Sequence, residues 1–376
     1  MVTIASTWND KSAKPGLSQR GRAGLDMLGN LQVWAAMRLR PQAEADFLAD
    51  EEGAALNAAH DSDREAFADR LPCARATAQR SAAYRVDRMV QRFVAEDIWR
   101  RAIPAIEARR EQFDAFIDPP SVSVGGTLEG DADLAMPLFM QGWDVHLEPG
   151  GFDGYDLRGA AFVHGIGPKI FRRGGYASVS VGADIYQSRL SVLRQLPRPH
   201  YDRIYEGGCG GFATLKAIAE VFPQAELTGT DLSYRQLRSS HIQAELSGIK
   251  VAYKQRDIRD TREPDNSFDA VVLNNVLHEQ PREASLAILT EMLRILKPGG
   301  DLVLADPAPF RAVPLFNAVL LDWETDHRGE PYFSEALSAD WAAEMARIGF
   351  VDTENRMLGL GMHPYISLGR KPESEA

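Results

Sequence analysis

Apolar positions along the chain change their spacing about halfway. From Arg22 to Arg40, Leu25, Leu28, Leu31, Val33, Trp34 and Met37 recur at helical spacing. A second helical run covers Gln42 to Ala59, and Asp63 to Phe116 is rich in Ala, Arg, Glu and Leu, interrupted by Pro72 and Pro104. Those prolines are expected to start, kink or end helices, because the ring removes an N–H and crowds the preceding turn. Arg100, Arg101, Glu107, Arg109, Arg110 and Glu111 mark solvated helix faces. Asp118 to Gly130, with two prolines and three glycines, reads as a boundary between helical layers rather than an element. Met140 to Gly175 has too many glycines for a continuous helix and too little alternation for a strand. Helical spacing returns between Tyr176 and Leu196.

From Tyr201 onwards strands and helices alternate. Asp202 to Ser233 reads as a strand, a turn containing Gly207, Gly208, Gly210 and Gly211, a helix, and a second strand ending at Asp231. Ser233 is placed to cap a helix from Tyr234. Ile249–Tyr253 and the apolar run Phe268–Leu273 are the next strands, the latter with the composition of a strand buried on both faces. Arg282–Leu296 is an amphipathic helix closed by Lys297, Pro298, Gly299 and Gly300, and Asp301–Ala305 leads to Asp306. The final stretch offers two more strands joined through LGLG. This alternation predicts an open, mostly parallel sheet with helices on both faces.

The strand–turn–helix–strand unit is that of a nucleotide site with an acid at ribose distance. Its turn, however, is preceded by Glu206. A carboxylate there repels a phosphate and attracts an ammonium or sulfonium, so the ligand is read as a positively charged nucleoside. The stretch resembles motif I of class I S-adenosylmethionine-dependent methyltransferases, with Glu206, Gly208, Gly210 and Asp231 at the matching positions and Phe212 where many members have a third glycine. QRDIRD, NSFDAVVLNNVLHE and LKPGGDLVLAD resemble that family's later motifs in the same order. The core is similar to the ubiquinone/menaquinone-biosynthesis type, and NVLHEQPREASLAILTEMLRILKPGG to small-molecule O-methyltransferases.

The resemblance implies a Rossmann-like seven-stranded sheet and S-adenosylmethionine as cofactor. It implies cofactor contacts from Glu206, Gly208, Gly210, Asp231, Leu232, Asp257, Ile258 and Asn274. Asp231 would accept from the ribose hydroxyls, Asp257 from the adenine amine, and Ile258 would pack on the ring. His278, after the carboxyl end of a central strand, is the candidate general base for methylating a hydroxyl or carboxylate of a small hydrophobic acceptor. C-, N- or S-methylation and a non-catalytic cofactor-binding protein are the alternatives, since a fold does not determine the nucleophile. Trp143, His146, Tyr155, Phe316, Trp323 and His327 are the candidate acceptor-binding residues, drawn from aromatic-rich loops.

At 376 residues the chain exceeds one ordinary domain. The expected division is a flexible tail over 1–20, a mainly helical cap or dimerisation region over 21–175, and the methyltransferase domain over 176–376. Only Cys73 and Cys209 are present, and the first residues lack the apolar core of a secretory signal, so a cytoplasmic protein is expected. A net charge of −11 argues against a nucleic-acid partner. No membrane insertion is expected, and self-association through the helical layers is. Two residue sets offer metal-ligand side chains: His146, Glu148 and His164, and Asp306, Asp326 and His327. Neither has a strong ligand spacing, and no metal is expected.

Overall fold

The computed structural model describes residues 15–117, 123–171, 184–359 and 361–373. The N-terminal periodicity becomes six helices: α1 (Gln19–Arg38), α2 (Arg40–Ala49), α3 (Glu51–Ser62), α4 (Phe67–Ala78), α5 (Ala82–Glu107) and α6 (Arg110–Ile117). The single run expected over Gln42–Ala59 is divided by Asp50, whose carboxylate accepts from the Glu52 and Gly53 amides and so caps α3. Ser18 and Ser81 cap α1 and α5 in the same way. Pro72 and Pro104 neither begin nor end a helix but lie inside α4 and α5. The carbonyls left without a helical donor belong to Ala68 and Arg100, both exposed residues, where water can satisfy them.

Two segments differ from the sequence reading. The turn-rich boundary contains a short strand, β1 (Thr127–Glu129), too brief to show any alternation. It is fastened by the Glu245 carboxylate, which accepts from the Val124 and Gly126 amides, and by Gln255, which accepts from Asp131. The glycine-rich stretch also contains helix, α7 (Arg158–Ala161) running into a π-helical segment, Phe162–Phe171. Gly142, Gly150 and Gly151 turn the chain with positive φ, whereas Gly159 and Gly165 serve close packing. A Cβ on Gly159 would lie 2.2 Å from the Ser239 side chain, and Gly165 lies against Leu25.

The sheet has eight strands in the order β1-β4-β3-β2-β5-β6-β8-β7, one more than expected because of β1. The others are β2 (Arg203–Gly207), β3 (Glu226–Asp231), β4 (Val251–Gln255), β5 (Phe268–Asn274), β6 (Leu296–Asp306), β7 (Val351–Met357) and β8 (Tyr365–Arg370). All pairings are parallel except β6–β8 and β8–β7. Connecting them are α8 (Ile185–Leu193), α9 (Ala213–Val221), α10 (Tyr234–Leu246), α11 (Arg282–Ile295), α12 (Leu315–His327), α13 (Phe333–Ser338) and α14 (Trp341–Ile348). From β2 the chain winds outward to β3 and β4, then returns to β5 on the other side. The carboxyl ends of β2 and β5 therefore flank a topological switch point, where open sheets of this kind bind ligands.

The helical half is packed into the sheet half. Phe47 and Tyr84 meet Phe316 with ring centroids 5.6 and 6.2 Å apart, and Phe67 meets Phe310 at 5.5 Å. The buried His60 Nε2 lies 2.9 Å from the Val313 carbonyl. The expected domain boundary at Gly175 lies outside the described residues. Among the described residues no helix is long and apolar enough to cross a membrane.

Candidate active site

After Gly207 the chain turns through Gly208 and Gly210 with φ of 63° and 43° before α9 begins. These left-handed conformations suit glycine, and a Cβ on Gly208 would also come within 2.9 Å of Val276. Asp231, at the end of β3, closes the turn: one carboxylate oxygen accepts from Gly210 N at 2.9 Å and the other from Ser233 N at 2.8 Å. Desolvation pushes the Asp231 carboxyl above its ordinary range against the pull of those amides. Glu206 is 2% exposed, and burial pushes it up to about 8, opposed by the Thr214 hydroxyl and by Arg189. Phe212 lies in the apolar core with Leu215 and Ile218. It is absent from the walls of the cavity that the glycine turn faces, so the place of a third glycine is taken by a packing residue.

That cavity, of about 290 Å3, sits at the switch point. Glu206, Gly208, Gly210, Asp231, Leu232, Asp257, Ile258 and Asn274 all line it. The Asp257 carboxylate is already held by Arg259, through the backbone amide, Nε and Nη2. The far wall comes from the N-terminal half, where Phe152 stands with Met136, Phe139, Arg158 and Phe162, which the sequence does not single out. Arg259 lies over the Phe139 ring, 5.2 Å from its centroid. Four buried polar atoms on cavity-lining residues, Glu206 Oε2, Arg189 Nε, Arg256 Nε and Asn274 Nδ2, have no hydrogen-bond partner among the described residues.

A second cavity of about 140 Å3 adjoins the first, with Arg158, Phe162, Asn275 and Glu279 lining both. Its apolar wall is Trp99, Ile166, Phe171 and Phe333; its polar wall carries His278, His146, Glu279 and Glu330. His278 follows β5 in a single helical turn and is 6% exposed. Its Nδ1 lies 2.6 Å from Asp306 Oδ1 at the end of β6, while Nε2 is 3.4 Å from Glu279 Oε1. Burial alone would depress this imidazole, but Asp306 and Glu279 hold its pKa well above the ordinary histidine value. The short contact to Asp306 fixes the Nδ1–H tautomer and leaves Nε2 as the basic nitrogen of the neutral ring.

His146 reaches this wall from a loop bent by two consecutive left-handed residues, His146 at φ 54° and Leu147 at φ 56°. The bend is clamped by the His146 amide donating to the Gly329 carbonyl at 3.0 Å. His146 Nε2 then lies 3.2 Å from Glu279 and 2.9 Å from Glu330. These three residues present their ligand-type atoms within 4.8 Å of one another, an arrangement that an imidazolium between two carboxylates satisfies. His363 Nε2 is 2.8 Å from Asn275 Oδ1, and burial lowers its pKa to about 3, so this ring is neutral.

Of the six expected acceptor-binding residues, His146 alone lines either cavity. Trp143 is half exposed, and Tyr155 is buried among the N-terminal helices with its hydroxyl donating to Glu107 at 2.6 Å. Phe316 belongs to the shared core described above. Trp323 is stacked on His327 at 4.6 Å, with the Arg88 guanidinium 4.8 Å over its ring, so both aromatics of that pair are spent on packing. Among the described residues, neither metal set expected as possible from the sequence is assembled. Glu148 pairs with Arg158, His164 lies edge-on to Phe113 and Phe116, and Asp326 pairs with Arg75. Arg189, Asn275, Glu279 and Glu330 were missed, although Glu279 stands beside His278 in the sequence.

Residues 204–300 match a family described as a methyltransferase domain. Among curated proteins, the chain is 32% identical over 120 residues to a fatty-acid O-methyltransferase of Mycolicibacterium smegmatis, covering 32% of this chain and 42% of that one. It is 28% identical over 116 residues to the ribosomal RNA small subunit methyltransferase C of Hahella chejuensis, covering 30% and 33%. It is 29% identical over 178 residues to a ubiquinone/menaquinone biosynthesis C-methyltransferase of Desulfotalea psychrophila, covering 42% and 69%. The chain thus spans less than half the length of the first two relatives.

Proposed function

We propose, for a chain whose C-terminal half belongs to the class I S-adenosylmethionine-dependent methyltransferases, that it methylates an oxygen of a small, largely apolar acceptor. The larger cavity holds the cofactor and the smaller one the acceptor. The observation that carries this reading is the His278–Asp306 pair on the wall of a second cavity that opens onto the first through Asn275 and Glu279.

When bound, S-adenosylmethionine supplies an electrophilic methyl group on a positively charged sulfur. The residues present fit it. Asp231 offers carboxylate oxygens to the ribose, Ile258 an apolar surface to the base, and the buried Glu206 an unpartnered oxygen to a cation. Asp257 serves the adenine amine only with the oxygen lone pairs that Arg259 leaves free. In the acceptor cavity Trp99, Phe162, Phe171 and Phe333 exclude water and hold an apolar body. His278 Nε2 takes the proton of the acceptor hydroxyl, and Asp306 steadies the resulting imidazolium. With the cofactor held by Glu206, Asp231 and Ile258, the deprotonated oxygen would take the methyl carbon and the carbon–sulfur electrons would pass to sulfur, giving the neutral thioether. Displacement of this kind depends on alignment, which the adjoining walls provide.

The small size of the second cavity and the net charge of −11 support a small acceptor over a nucleic acid. We infer also that the helical half associates with a second copy. Met27, Trp34 and Met37 on α1 and Val86, Met89 and Phe93 on α5 are exposed. The two helices run side by side, with Gln91 donating to the Gln32 carbonyl between them. Titration calorimetry of the intact protein tests the cofactor assignment. Saturable binding of S-adenosylmethionine or its demethylated product is expected, and folded protein that binds neither removes the reading.

A further inference from the structure

His146, Glu279 and Glu330 are distant in the sequence and reach one wall from three elements. His146 stands in the bent loop of the N-terminal half, Glu279 follows β5, and Glu330 follows α12. The His146 amide is bonded to the carbonyl of Gly329, the residue before Glu330, and this contact sets the two side chains next to each other. All three residues line the second cavity, and Glu279 lines the first as well. Two carboxylate oxygens then face one nitrogen: His146 Nε2 lies 3.2 Å from Glu279 Oε1 and 2.9 Å from Glu330 Oε1. An imidazolium carries a single hydrogen on that nitrogen, so it donates a straight hydrogen bond to only one of the two oxygens. Within the trio its charge offsets one carboxylate and leaves the other. Glu330 Oε2 is buried and has no hydrogen-bond partner among the described residues. The other cations lining this cavity are engaged elsewhere. Arg158 is 2.8 Å from Glu148 and donates to Gln236, Arg328 lies 3.6 Å from Glu324 and donates to the Gln91 carbonyl, and His278 makes its shorter contact with Asp306.

We propose that His146, Glu279 and Glu330 bind a divalent first-row cation such as Mn2+ or Zn2+. Bonds of about 2.1 Å at tetrahedral or octahedral angles set neighbouring ligand atoms about 3.0–3.4 Å apart. The two separations at Nε2 are close to that spacing, and the three ligand atoms lie within 4.8 Å of one another. A divalent ion in place of the Nε2 proton balances both carboxylates at once. One imidazole with two carboxylates suits these ions better than Mg2+ or Ca2+, which favour oxygen alone. Three protein ligands leave coordination positions for water or for an acceptor oxygen in the same cavity. The candidate base is adjacent, since Glu279 Oε1 is also 3.4 Å from His278 Nε2.

Calorimetry of the intact, chelator-stripped protein with MnCl2 or ZnCl2, without nucleoside or acceptor, tests the site. Uptake of about one equivalent per chain is expected, with a Kd of about 10 μM or tighter for at least one of the two ions. Protein that takes up neither ion overturns the proposal. In Glu330→Gln the affinity is expected to fall about tenfold or more, while the thermal midpoint of the metal-free protein stays within a few degrees. Undiminished affinity in that variant places the ion elsewhere and overturns the proposal. Should Glu330→Gln not fold, His146→Gln, at a side chain that is 36% exposed, carries the same comparison. Neither cofactor nor acceptor enters the titration, so a failure here leaves the methyl-transfer reading to its own calorimetry.

Discussion

His278 acts as a base only when its ring is neutral, and two carboxylates oppose that state. The histidine pKa lies above its ordinary value of about 6.5, so kcat/KM is expected to rise with pH through a limb displaced to the alkaline side. Asp306→Asn removes the stronger contact and should move that limb toward lower pH while reducing the rate; a pH–rate profile of both proteins reads the shift. A limb that stays in place in the variant contradicts the pairing. Asp231→Asn replaces one of the two accepting oxygens by an amide NH2, so it loosens the glycine turn as well as removing a charged acceptor, and cofactor affinity should fall by roughly tenfold to a hundredfold in calorimetry. The residues expected at the larger cavity were legible because each ends a strand or follows it within a few positions. The wall of the second cavity was legible only in part: His146 was expected there, whereas Trp99, Glu330 and Phe333 are scattered along the sequence and meet only through packing. The conspicuous aromatics Trp323 and His327 instead stack on each other.

Among the elements, the parallel sheet and its helices were readable from alternating apolar runs, whereas β1 and the π-helical segment were not. β1 has three residues and owes its place to Glu245 and Gln255 rather than to its own pattern. Gly159 and Gly165 suggested loop because their use in close packing leaves no periodic trace. Gly29 on α1 belongs to the same contact, since a Cβ there would sit 2.2 Å from the Lys169 carbonyl oxygen. Gly29→Ala is expected to destabilise the fold by about 1–3 kcal/mol through overpacking, seen as a lower thermal midpoint. Gly24→Ala on the same helix would meet nothing nearer than the Arg101 side chain at 3.6 Å. It should be neutral or slightly stabilising, since alanine is the better helix former. Equal effects of the two substitutions would show that the α1 contact is looser than described.

At the scale of the molecule, the helical half supplies walls to both cavities and shares a core with α12. A chain reduced to residues 184–376 lacks Phe139, Phe152, Arg158 and Phe162 and exposes the surface around Phe310 and Phe316. It should aggregate, or bind the cofactor far more weakly than the whole chain, which light scattering and calorimetry distinguish. Trp34→Asp together with Met89→Asp should convert a sedimenting dimer into monomer, and an unaltered protein that sediments only as monomer removes the association surface.

The most direct test of the account is transfer of labelled methyl from S-adenosylmethionine to a panel of small hydroxylated acceptors, for the unaltered protein and His278→Ala side by side. The account predicts label in an acceptor oxygen with the unaltered protein, and a loss of about a hundredfold or more in the variant. The variant's affinity for S-adenosylhomocysteine should be unchanged. An unaltered protein that binds the cofactor but labels no acceptor, or a variant that transfers at the unaltered rate, would contradict it.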